Sequence, residues 1–172
     1  MAEALARIAR VDGLGMIQIR ADLARAGEAI AEGTGLAIPA PTRITTDGSR
    51  SLGWMSPDEL LLILPAGERP EALAALDQAL TGEHALVADV SDMRAVFDVT
   101  GAHAADVIAK LSPADPGALP PGGLRRSRAG QVAVGFWRVT GGFRIIGFRS
   151  TADYLAQLLS NAAIPGSGLA PR

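Results

Sequence analysis

Cysteine is absent from the 172-residue chain, which excludes disulfides, thiolate nucleophiles and cysteine metal sites. Histidine is nearly absent as well: His84 and His103 are the only imidazoles, and no second His lies at metal-ligand spacing from either. Long apolar runs are missing, since no stretch approaches the roughly 20 residues that a bilayer-spanning helix needs. The first residues, Met1 to Arg10, interleave apolar side chains with Glu3, Arg7 and Arg10, without the apolar core and cleavage site of a secretory signal. A cytoplasmic protein with no membrane partner is expected. A large charge excess is also missing: net charge is −2 and the pI about 5.7, so nothing in the global electrostatics calls for nucleic acid. A small polar ligand or a protein partner fits better.

What is present is an ordinary globular composition, 48% hydrophobic and 20% charged. That composition and length predict a single domain over residues 1–164, followed by a flexible tail at 165–172. Leu14 to Arg20 has the pattern of a short strand, and Ala21 to Glu32 carries Leu23, Ala26 and Ile30 at helical spacing before a stop at Gly33-Thr34-Gly35. Residues 36–49 are rich in turn formers and predict a loop with a short edge strand. Two apolar runs flank Ser56-Pro57-Asp58-Glu59, the pattern of a hairpin, and Pro70 opens a helix carrying Leu73, Leu76 and Leu80. In the second half, Ala85 to Val90 and Ala95 to Val99 are strand-like, and Ala104, Val107, Ile108 and Leu111 form one helical stripe. A Pro/Gly-rich link at 112–123 then leads to two runs around Thr140-Gly141-Gly142, a hairpin signal. Ser150 and Asp153 have capping-box spacing ahead of a helix with Leu155, Leu158 and Leu159. The order strand, helix, hairpin, helix thus occurs twice, at about 14–82 and 85–163, and predicts a duplicated α+β fold. Val132 to Trp137 is apolar on both alternating faces, as expected of a central strand beneath helices.

The polar residues assemble no recognisable active site. Asp89, Ser91, Asp92 and Asp98 cluster in sequence; carboxylates there have the chemistry of an acid/base pair or of metal ligands, and the plainer reading is a turn in which Asp and Ser bond their own backbone. His103 at a helix start has no accompanying nucleophile motif. No G-x-S-x-G, H-E-x-x-H or G-x-x-x-x-G-K-[ST] occurs, and Gly13-Leu14-Gly15 precedes a strand instead of following one. Arg125, Arg126 and Arg128 form a basic run, with Arg138, Arg144 and Arg149 further on; such a set suits bidentate contact with carboxylates, and its plainer role is a solvated strand edge. Trp54 and Trp137 serve either as interface anchors or as core. No catalytic residue and no metal ligand is expected.

Several stretches carry a family resemblance: Asp89-Val90-Ser91-Asp92, Phe97-Asp98-Val99-Thr100-Gly101, Leu119-Pro120-Pro121-Gly122, and Phe148-Arg149-Ser150-Thr151-Ala152-Asp153-Tyr154-Leu155, with Leu52-Gly53 and Pro57-Asp58-Glu59-Leu60-Leu61-Leu62 upstream. In this order and spacing, over about residues 50–163, the chain resembles the gamma subunit of heterotetrameric sarcosine oxidase. The resemblance implies a fold related to the tetrahydrofolate-binding domain of glycine-cleavage aminomethyltransferases, and an accessory subunit without activity of its own. It further implies alpha, beta and delta partner subunits, with contacts mainly to alpha, in a complex that oxidises sarcosine to glycine. The products implied are peroxide and either methylene-tetrahydrofolate or formaldehyde. FAD, FMN, NAD, tetrahydrofolate and zinc are implied in the other subunits, and none in this one. Where relatives often have an aromatic after Gly-Pro-Asp-Glu, this chain has Leu60 after Ser56-Pro57-Asp58-Glu59, so that a packing or contact aromatic is either missing or supplied by Trp54. A stand-alone folate-binding protein or one-carbon transferase is the alternative, with Asp89 or Asp92 near a pterin and arginines such as Arg125 and Arg149 on the glutamate tail.

Overall fold

The structure, a computed structural model, describes residues 4–169. Along the chain run β1 (Arg7–Val11), β2 (Leu14–Arg20), α1 (Leu23–Thr34), β3 (Ile44–Asp47), β4 (Arg50–Ser56), β5 (Glu59–Pro65), α2 (Arg69–Ala79), β6 (Leu86–Asp89), β7 (Arg94–Thr100), α3 (Ala104–Leu111), β8 (Leu124–Ala129), β9 (Val132–Val139), β10 (Gly142–Phe148) and α4 (Ala152–Ala162). The result is a mixed fold of two five-stranded sheets and four helices, with every paired strand antiparallel. The chain divides into two compact units, Gly13–Asp92 and Met1–Asp12 with Met93–Arg172.

In the Gly13–Asp92 unit the sheet order is β3-β4-β5-β2-β6. Strands alternate their side chains between two faces, so Ile17 and Ile19 of β2 share a face with Leu60, Leu62 and Leu64 of β5. These residues pack with Ile30 of α1 and Leu76 of α2 in one fully buried cluster. The intervening Met16, Leu61 and Ile63 are buried too, which is why β5 is a near-continuous apolar run instead of an alternating one. At the start of α1 the Asp22 carboxylate accepts the Ala24 N–H at 3.0 Å, and the helix ends where Gly35 takes φ 71°, a left-handed cap that glycine adopts without steric cost.

The other unit has the order β1-β7-β10-β9-β8. Phe97 and Val99, Ile145 and Phe143, and Val134 and Phe136 face Val107 and Ile108 of α3 and Leu155 and Leu159 of α4. Phe136 and Phe143 meet edge to face, with ring centroids 6.3 Å apart. On the reverse face Val96, Ile146 and Trp137 are also buried, so β9 is apolar on both sides, as its sequence predicts.

The structure departs from the sequence reading in four places. Arg7–Val11 is a strand, paired with β7. Leu124–Ala129 is a strand on β9 and ends the Pro/Gly-rich link. Leu86–Asp89, which periodicity groups with the second half, pairs with β2 and belongs to the first sheet. The capping box at Ser150 does not form: Arg149–Thr151 is a 3-10 turn, Thr151 is the N-cap without a side-chain cap bond, and its hydroxyl donates to the Phe148 carbonyl at 3.1 Å. In the expected tail, Ser167 donates to the Ile164 carbonyl at 2.6 Å and accepts from Lys110 Nζ at 2.8 Å; residues 170–172 lie outside the described residues, as do residues 1–3 of the N-terminal stretch.

Candidate functional site

The carboxylates that cluster in sequence are divided between the two units. Asp89 ends β6 and forms the expected turn: its Oδ1 accepts the Ser91 N–H at 3.0 Å and the Ser91 hydroxyl at 2.6 Å, while Oδ2 faces Arg69 Nε at 3.2 Å. Ser91 Oγ in turn accepts the Met16 N–H at 2.9 Å, and Val90 N–H reaches the Met16 carbonyl at 2.8 Å, so the turn is sewn to β2. The Ser91 hydroxyl, then its backbone N–H and the Arg69 charge, hold the Asp89 carboxyl below the usual carboxylate range against a partial loss of hydration. Both oxygens therefore have protein partners. Asp92 is exposed in the 3-10 turn Ser91–Met93.

Asp98 belongs to a different arrangement. It stands opposite Arg144 across β7 and β10, and the guanidinium forks onto both carboxylate oxygens at 2.7 and 2.9 Å, half-buried. Arg138 points its guanidinium at the carbonyls of Leu119, Pro116 and Gly117 at 2.9 to 3.1 Å and lies 5.0 Å over the Phe143 ring, which pins the Pro/Gly-rich link to the sheet. Arg125 and Arg149, the arginines expected to meet a carboxylate, are exposed, one on β8 and one in the 3-10 turn Arg149–Thr151. Asp89 and Asp92 lie in the Gly13–Asp92 unit, whereas Arg125 and Arg149 lie in the other.

The remaining candidates have local roles. His103 is the N-cap residue of α3 and its Nδ1 is 3.1 Å from Asp106, both at the surface. His84 is exposed beside Arg20, Asp58 and Leu86 in a shallow depression. In the β4–β5 hairpin Asp58 pairs with Arg20 and accepts the Ser56 hydroxyl at 2.7 Å; the Ser56 bond first, then Arg20, lowers its pKa. Trp54 stands opposite Leu60 in this hairpin and packs against the core. Among the described residues no group of His, Asp and Glu converges to hold a metal ion, and no helix is long and apolar enough to cross a membrane. Sequence reasoning placed Ser91 in the Asp89 turn but missed Arg69 as the ion-pair partner of Asp89, because Arg69 is remote in sequence and carried no signal.

Two antiparallel sheets with two helices each define a mixed α/β protein. Comparison with known proteins makes the assignment specific: residues 20–164 match the sarcosine oxidase, gamma subunit family, and the chain belongs to it. Sarcosine oxidase subunits gamma from Corynebacterium sp. strains U-96 and P-1 are 39% and 37% identical to it over 89 and 90 residues, 51% of this chain in each case. Those stretches span 42% and 43% of the relatives, so the chain matches under half of their length. A solved heterotetrameric sarcosine oxidase from Corynebacterium sp. U-96, in complex with pyrrole 2-carboxylate, superposes on 97% of this chain and 88% of the chain compared, with a TM-score of 0.86 at 28% identity. The glycine cleavage system aminomethyltransferase T from Bartonella henselae shares the fold, with a TM-score of 0.67 at 19% identity over 92% of this chain and 46% of that one.

Proposed function

We propose that this chain is a non-catalytic accessory subunit of a multi-chain sarcosine oxidase, held in the assembly mainly by its large alpha subunit and working in the cytoplasm. The observation that carries the reading is the superposition on a chain of the heterotetrameric oxidase over 97% of this sequence. The commitments of the polar groups support it. Asp89 is engaged by Ser91 and Arg69, Asp98 by Arg144, and Arg138 by backbone carbonyls, so these polar groups already do structural work. On this reading, FAD, FMN, NAD, tetrahydrofolate and zinc reside in the alpha, beta and delta chains, and sarcosine is oxidised to glycine there.

The internal duplication is part of the same proposal. Its support is that β2-α1-β3-β4-β5-α2 and β7-α3-β8-β9-β10-α4 follow one connectivity, and that each sheet takes its fifth strand, β6 or β1, beside the first strand of its repeat. The test is co-expression with the flavoprotein subunits encoded in the same genome, followed by native mass spectrometry of the purified oxidase. One copy of this chain in a complex with the other three is the expected result; a complete oxidase that never contains it contradicts the proposal.

A further inference from the structure

The charge of the second half is concentrated in a way the chain's net −2 conceals. Between Asp115 and Asp153 the sequence contains no Asp or Glu, yet it carries Arg125, Arg126, Arg128, Arg138, Arg144 and Arg149. The structure neutralises Arg144 with Asp98 and turns Arg138 onto backbone carbonyls. Arg125 and Arg128 meet no carboxylate among the described residues.

Both lie on β8, which ends its sheet. β8 pairs with β9 from Leu124↔Trp137 to Ala129↔Val132, and no described strand pairs with its other side. It is the longest of the terminal strands at 6 residues, against 5 for β1 and 4 each for β3 and β6. Its register is unbroken by a bulge, and no proline interrupts it. Exposed edges of this kind are usually blunted, because their unpaired N–H and C=O groups accept a further strand. On β8 itself the blunting device present among the described residues is charge. Strand alternation places Arg126 and Arg128 on the face of Leu124 and Trp137, and Arg125 on the opposite face with Ser127. Positive charge thus flanks the edge on both faces. Such an edge rejects apolar and basic strands and admits one whose consecutive residues are acidic, each neutralised on its own face.

We propose that β8 is a docking edge for an acidic extended segment of a partner chain, added as a sixth antiparallel or parallel strand and clamped by Arg125 and Arg128. The inference rests on the subunit reading and narrows it to one surface and one partner chemistry.

The test uses the full chain and a fluorescent synthetic peptide in which consecutive glutamate pairs, one glutamate for each face of the strand, are separated by single valines, with binding followed by anisotropy. Binding by the wild-type chain should fall at least tenfold on simultaneous Arg125→Glu, Arg126→Glu and Arg128→Glu substitution, and the same variant should gain affinity for a lysine–valine peptide. A glutamate–valine peptide with alternate amides N-methylated should lose binding, because strand addition needs those N–H groups. Equal binding by the methylated peptide would reveal a plain carboxylate patch and overturn the proposal, as would binding indifferent to charge reversal. Circular dichroism checks that the triple variant folds; if it does not, single Arg125→Glu and Arg128→Glu variants carry the same expectation at about threefold each. Co-purification separates this inference from the subunit reading: a charge-reversed, folded chain that still enters the oxidase at wild-type yield refutes the docking edge and leaves the subunit assignment standing.

Discussion

Gly142→Ala gives the sharpest test of the strand register in the unit that contains β7 and β10. Gly142 opens β10 opposite Thr100, and a Cβ built there falls 2.1 Å from the Val99 carbonyl oxygen and 2.9 Å from the Thr100 Cα. Both neighbours are backbone, so no rotamer change relieves the clash. An ordinary contact needs more than 3 Å, and β10 must therefore move away from β7 by about 1 Å at this end. The expected cost combines overpacking, about 1–3 kcal/mol, with one or two weakened ladder hydrogen bonds at about 1 kcal/mol each. A total near 3 kcal/mol lowers the melting temperature by roughly 10–20 °C in a unit of this size. The neighbouring Gly141 is the internal control. It has φ 78° with nothing within 4 Å of its built Cβ, so Gly141→Ala meets only the left-handed backbone penalty, about 1–2 kcal/mol. Urea denaturation of both variants, monitored by circular dichroism, separates the two causes. If Gly142→Ala costs no more than Gly141→Ala, the β7–β10 register described here is wrong.

Other expectations follow from the polar groups. Because the folded-state pKa of Asp89 is depressed, its stabilisation is present above the ordinary aspartate value of about 4 and is lost as pH falls through the lower folded value. Asp89→Asn should therefore flatten the acid limb of the stability curve below about pH 4, and an unchanged limb in pH-resolved urea melts would contradict the turn geometry. A double-mutant cycle on Asp98→Asn and Arg144→Gln should give a coupling near 1 kcal/mol, reduced from that of a fully buried fork because about a quarter of each side chain is exposed; additive effects would refute the pair. Calorimetry of the isolated chain with tetrahydrofolate should show no saturable micromolar binding, since the Asp89 oxygens are already taken; binding lost on Asp92→Asn would favour a folate-dependent protein instead.

The interior was the legible part of this fold. Ile17, Leu62, Phe136 and Leu155 sit in periodic apolar patterns because packing against a sheet or helix face imposes that period, and β2, β5, β9 and all four helices were readable from it. The edges were not. β8 is Leu-Arg-Arg-Ser-Arg-Ala, and its exposed side needs no apolar side chain, so no alternation marks it; β1 carries Arg7 and Arg10 for the same reason. Which sheet Leu86–Asp89 joins depends on pairing with residues some 70 positions away, a long-range choice that local pattern does not encode. The aspartate cluster is divided for a related reason. Asp89 and Asp98 are close in sequence but lie on strands of different sheets, so their partners, Arg69 and Arg144, were set by topology.

The most direct test of the central claim compares sarcosine oxidation by the co-expressed alpha, beta and delta chains with and without this chain, alongside the chain on its own. The account predicts no turnover by the isolated chain and a loss of assembled, active oxidase when it is omitted; turnover by the chain alone, or a fully assembled and fully active enzyme without it, would contradict the account.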